Sequence, residues 1–123
     1  MIKLIIYGEP CSMKNSREIA RWGNKTGLRK SDAALVYESD VLKQVRTLPK
    51  LLEGRLSATA HCYYASERKD LDIDLLFDCL QGRIYKNDRQ VREKHLYHHI
   101  DRANPRVEIE IRNIKEHSCI EQK

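Results

Sequence analysis

With 123 residues, 41% of them hydrophobic and 33% charged, the chain has apolar material for one modest core, so residues 1–123 are read as a single soluble domain. No apolar run is long enough to span a bilayer, and the opening MIKLIIYGEP lacks a small-residue cleavage site, so no signal peptide is expected and the cytoplasm is the expected compartment. The net charge of +5 is unevenly placed: residues 31–55 hold four basic and four acidic side chains, residues 56–123 hold twelve of each, and the surplus lies in residues 14–30.

Residues 2–7 are nearly all apolar and β-branched or aromatic, the composition of a buried strand, and Gly8 and Pro10 end it. Between residues 11 and 30 the periodicity disappears, with Gly23 and Gly27 as punctuation, which reads as a long loop of the kind that is usually functional. Lys14, Arg17, Arg21, Lys25, Arg29 and Lys30 stand there against the single Glu18. Charge alone fits a plain solvated loop; beside an acidic site it becomes the footprint of a polyanion, because neutralised phosphates release counterions.

Ser31 offers an N-cap, and Ala34, Tyr37, Val41, Val45 and Leu48 follow at spacings of three and four, so a helix with one apolar stripe is expected as far as Pro49. After Gly54, Leu56, Ala58, Ala60, Cys62 and Tyr64 alternate with polar partners, the pattern of a half-buried strand. A short apolar helix over residues 73–81 closes at Gly82, with Asp78 on its polar side. Residues 91–99 have strand composition, and Val107, Ile109 and Ile111 alternate with charges in what reads as an edge-type strand. Beyond residue 115 the chain is expected to fray. The order is strand, long loop, helix, strand, helix, strand, strand: an α+β (α/β-type) fold with a small mixed sheet of about four strands packed by two helices.

Neither the cysteines nor the histidines suggest a metal cage. Cys11, Cys62, Cys79 and Cys119 lack any C-x-x-C spacing, which leaves reduced thiols. On a strand, His95 and His99 would face one way and His98 the other, as on a wet sheet surface. The acids are different. Asp70, Asp72 and Asp74 occupy alternate positions directly after the second strand, and Asp88 follows the short helix. Carboxylates that close together raise a pKa or recruit a cation, and a hard ion such as Mg2+, with Mn2+ as a substitute, suits oxygen ligands. The simpler alternative is that Asp72 or Asp74 caps the helix and the others are solvated. For Asp88 to reach the other acids, the helix and the link after it must return it to the same end of the sheet, so the strand from Val91 is expected antiparallel to the one ending at Tyr64.

Three stretches, IIYGEPCSMKNSREI, DLDIDLLFDCLQGRIYKNDRQV and ANPRVEIEI, resemble the RusA family of Holliday junction resolvases, endodeoxyribonucleases common in phages and prophages. The likeness spans most of the chain, and its middle piece is fairly specific. It implies that Asp70 and Asp72 are the paired catalytic aspartates and Asp88 the second acid before x-Gln, here Arg89 and Gln90. A pairing of Asp72 with Asp74 stays open, with Asp74 otherwise a further ligand or a cap. Ile73 stands where the family has Asn, Asn87 where it usually has Asp, and the helix is short and lacks the family's lysine, whose role Lys69 or Lys86 would take. The expected function is a Mg2+-dependent, structure-selective endonuclease that resolves four-way junctions in recombination, repair or phage DNA processing. Lys14, Arg17, Arg68 and Lys69 would hold phosphates, and a homodimer would match the junction's near-twofold symmetry. The rivals are a junction-binding module of the same fold with weakened catalysis, and a metalloenzyme acting on small phosphoesters.

Overall fold

The computed structural model describes residues 1–12, 17–22, 25–67 and 69–114, with the backbone alone for 17–22 and 25–30. In chain order the elements are β1 (Ile2–Tyr7), β2 (Arg17–Trp22), β3 (Lys25–Lys30), α1 (Asp32–Gln44), β4 (Leu56–Tyr64), α2 (Asp74–Leu80), a 3-10 turn at Asp88–Gln90, β5 (Val91–Ile100) and β6 (Arg106–Asn113). This is the expected α+β order with one addition: the basic segment read as a loop contains the antiparallel hairpin β2–β3. The expected fraying beyond residue 115 lies outside the described residues.

Helix α1 begins where Ser31 Oγ accepts the N–H of Ala34 at 3.2 Å, and it buries Ala34, Tyr37 and Val41. It ends at Gln44, earlier than the stripe suggested. Val45 is already extended, yet Val45 and Leu48 still pack against the core. The main sheet has the order β1-β6-β4-β5, antiparallel at β1–β6 and β6–β4 and parallel at β4–β5. Ile6, Val107 and Cys62 lie level across three strands, as do Ala60 and Ile109, and these residues form one buried cluster with both helices. Each fully buried Leu, Ile or Phe contributes about 1.5–3 kcal/mol. Truncating Leu76, which is wholly buried, to alanine would therefore cost about 2–5 kcal/mol.

Two positional expectations are corrected. β1 is an edge strand that buries only Ile6 and leaves Ile5 and Tyr7 exposed; its apolar run serves two environments, and its outer edge at Tyr7 is tied down by Gln44, which bonds both the N–H (2.7 Å) and the C=O (2.9 Å) of Tyr7. β6 is not at an edge but inside the sheet. Alternation reports that one face is covered and the other wet, whatever the lateral place of the strand. The uncovered face carries His61, Tyr63, Tyr97 and His99, stacked ring on ring at 4.7–5.0 Å. His98 points the other way and stacks on Tyr64, the division that the strand period implied.

Candidate functional site

Residues 65–73 lead from the end of β4 to α2, and the alternating aspartates determine how that helix starts. Asp72 Oδ1 accepts the N–H of Asp74 at 3.0 Å, the bond of a capping side chain, while Ile73 at the cap position supplies none. Asp74 stands in the first turn, where a carboxylate favours the helix dipole. Leu75, Leu76, Phe77, Cys79 and Leu80 bury the helix, which stops at Gln81 before Gly82, whose φ of +81° suits glycine. The turn beyond is pinned by Tyr85 Oη, which donates to the carbonyl of Phe77 at 2.6 Å.

The N-terminal end of α2 thus gathers three of the expected acids. Asp70 and Asp74 are exposed and Asp72 is half-buried. Asp74 Oδ1 lies 3.4 Å from Nζ of Lys94, and the same ammonium sits 4.4 Å from the centre of the Phe77 ring. Lys69 pairs with Glu9 at 3.3 Å, and the other oxygen of Glu9 accepts the N–H of Ala65 at 2.7 Å. Lys69 and Asp70 line a cavity of about 630 Å³ whose opposite walls are residues 8–12 and the first turns of α1. Of the four cations expected at phosphates, only Lys69 has a described side chain: Lys14 and Arg68 lie outside the described residues, and Arg17 opens β2 with its backbone alone described.

Electrostatics around this end keeps its neighbouring nucleophiles neutral. Burial, aided by the Asp72 carboxylate and opposed by Lys69, raises the pKa of the Cys11 thiol. Burial first, then Cys62, pushes the Tyr64 hydroxyl up to about 12, against a backbone hydrogen bond from Asp72 that lowers it and with the charges of Asp72 and Glu9 adding a little. Burial thus works against a thiolate at Cys11.

Asp88 stands elsewhere. The expected antiparallel pairing is overturned: β4 and β5 run parallel, with Leu56 opposite Val91 and Tyr64 opposite Ile100. The physical reason is that residues 65–73 and α2 together make a return path long enough for the crossover that parallel strands require. Asp88 therefore sits near the start of β4, its N–H held by Gln81 Oε1 at 3.1 Å just past the C-terminal end of α2. The seven residues of α2, about 10 Å of helix, lie between its backbone and that of the other acids. Among the described residues no group of three or more His, Cys, Asp or Glu side chains is close enough to hold a metal ion.

Two further residues emerge only in three dimensions. Lys94 reaches Asp74 from β5; the available signal was a cation at a helix-facing strand position, level with Ala58. Gln90, expected as part of a motif, is a latch. Its Oε1 accepts the N–H groups of Lys86 and Asn87, both at 3.0 Å, and its Nε2 donates to the carbonyls of Leu52 at 2.9 Å and Gly54 at 3.1 Å.

The family model described as Endodeoxyribonuclease RusA matches residues 8–112, and no curated protein matches the chain. With the alternating aspartates, the x-Gln turn and most of the closing strand inside that match, the chain belongs to the RusA family of endodeoxyribonucleases, hydrolases that resolve Holliday junctions.

Proposed function

We propose that the chain cuts four-way DNA junctions in a Mg2+-dependent reaction, as a homodimer acting in the cytoplasm. The observation that carries this reading is the set of three carboxylates at the N-terminal end of α2, with Lys69 and Lys94 beside them and a cavity alongside. The donors fit the ion: Mg2+ prefers carboxylate oxygen and is usually held by one or two carboxylates together with substrate phosphates and water, so a ready-made cage of protein ligands is not required. Asp70 and Asp72 would hold it, with Asp74 as a further acid beside them; Asp88 would join as another only across the length of α2, and Mn2+ would substitute. When bound, the ion supplies an activated water and offsets charge on the leaving oxygen. The chain's own part is to orient phosphates with Lys69, joined by Lys14, Arg17 and Arg68. Dimerisation is inferred from the two paired cuts that the near-twofold symmetry of a junction demands. No helix among the described residues is long and apolar enough to cross a membrane.

Synthetic four-way junction, linear duplex and flap, each with and without Mg2+, test the reading when wild type is compared with Asp72→Asn. Junction cutting that needs Mg2+ and fails in the variant is expected. Equal cutting of all three substrates would contradict junction selectivity. A second reading, a junction-binding module with weakened catalysis, draws on Asp72 Oδ1, which already caps α2; binding without cutting in any divalent ion would favour it.

A further inference from the structure

The balanced charge of residues 56–123 conceals a second cationic surface, at the opposite end of α2 from the three acids. Arg55, Arg89 and Arg92 line one cavity of about 440 Å³, together with Gln90 and Asn113 and without any acidic side chain. Lys50 and Lys86 line a neighbouring cavity of about 400 Å³ that shares Gly54 and Gln90 with the first and has Glu53 as its one acidic lining residue; Asp88 stands in the same turn as Arg89 but lines neither cavity. All five cations are exposed. None of the three arginines forms an ion pair with a described residue. Five cations against Glu53 and Asp88 leave a local positive surplus, which becomes favourable when a polyanion lies across it.

The surface is held in shape. Gln90 ties its turn, which carries Lys86 and Arg89, to the loop that carries Gly54 and Arg55 through two hydrogen bonds from Nε2, and braces the turn itself through two more at Oε1; Asn87 Oδ1 adds another within the turn, from the N–H of Arg89 at 2.9 Å. Arg92 follows as the second residue of β5. Guanidinium groups match phosphate oxygens in a fixed fork, and fixing their backbone in advance lowers the entropic cost of binding.

We infer that Arg55, Arg89 and Arg92, with Lys50 and Lys86, form a second binding surface for the DNA sugar-phosphate backbone. It receives the arm that leaves the acidic end of α2. The length of α2, about 10 Å, corresponds to about three phosphates along one strand at 3.4 Å each. The identity of the substrate rests on the proposed function; the surface itself rests on the five cations and their latch.

The test is fluorescence anisotropy of a labelled synthetic four-way junction across a salt series, comparing wild type with the triple variant Arg55→Gln, Arg89→Gln, Arg92→Gln. Every phosphate that is no longer neutralised should lower the slope of log affinity against log salt by about 0.9, so a fall of about 2 to 3 is expected, with affinity at about 50 mM salt reduced tenfold or more. An unchanged slope in a variant that melts like wild type would overturn the inference. Should the triple variant fail to fold, the pair Lys50→Gln, Lys86→Gln decides instead: a slope lower by about 2 supports the surface, and no change overturns it. A wild type that binds in this arginine-dependent way but never cuts keeps the surface and removes the nuclease reading. A wild type that cuts, with a triple variant that binds and cuts equally well, does the reverse.

Discussion

The two ends of α2 are built on opposite principles. At the N-terminal end the candidate functional groups are carboxylates, and their bonds include Asp72 to the amide of Asp74, Asp74 to Lys94 and the N–H of Asp72 to the carbonyl of Asp70. At the C-terminal end Gln90 alone makes four hydrogen bonds, and the side chains it positions are cationic. The difference teaches where chemistry and affinity are each placed. On the proposed reading the carboxylates would serve the chemistry, whereas a surface that reads the DNA backbone gains affinity from being fixed beforehand.

Substitutions at each end sharpen that contrast. The largest effect is expected for Asp70→Asn, which should lower the rate of junction cleavage under single-turnover conditions by about a hundredfold or more, since it would remove a negative ligand from the proposed ion. Asp88→Asn should fall as far if Asp88 serves the same centre across the length of α2; a cleavage rate within about twofold of wild type would confine the chemistry to the N-terminal end. Next, Gln90→Ala removes four hydrogen bonds, and because water can take over at the exposed amides of Lys86 and Asn87 the cost in urea unfolding should be about 1–1.5 kcal/mol. A change under about 0.5 kcal/mol would show the latch to be dispensable. Lys94→Ala should cost less, about 0.5–1 kcal/mol from a partly exposed ion pair and its placement over the Phe77 ring. A loss beyond about 2 kcal/mol would mean that Lys94 is structural first.

The smallest effect is a matter of pH. The hydrogen bond from Arg106 to Asp101, at 2.8 Å, holds the Asp101 carboxyl below the usual carboxylate range. A lowered folded-state pKa contributes stability above the unfolded value and loses it as pH falls through the folded one. Melting temperatures of wild type and Asp101→Asn should therefore differ slightly at neutral pH and converge as the pH falls below the usual carboxylate range. A gap that persisted in acid would assign the stabilisation to something other than this charge.

How much of this was legible in the chain depends on how local each feature is. Helix α1 and strands β4 and β6 follow from spacings of three, four and two, and Gly82 ends α2 as its place in the sequence implied. The direction of β5 was not legible, because the lengths of α2 and its flanks permit return to either end of the sheet and packing alone chooses. β1 was misjudged as buried because apolar composition does not distinguish an edge strand with one core residue from an interior one. The acids were visible as an unusual alternation, but the capping bond that Asp72 makes and the reach of Lys94 depend on how the elements meet. The cationic surface was least legible of all. Lys50, Arg55, Lys86, Arg89 and Arg92 come from stretches whose charge sums to nothing, and only folding brings them to one place.

The central claim, that carboxylates at the head of α2 bind a divalent ion for DNA hydrolysis, is tested most directly by titrating Mn2+ into the protein and following the free ion by electron paramagnetic resonance. Wild type should deplete free Mn2+ in a saturable way, more tightly with four-way junction present, and Asp72→Asn should lose that depletion while keeping its melting temperature. Equal depletion by the two proteins, or none by wild type with or without junction, would contradict the account.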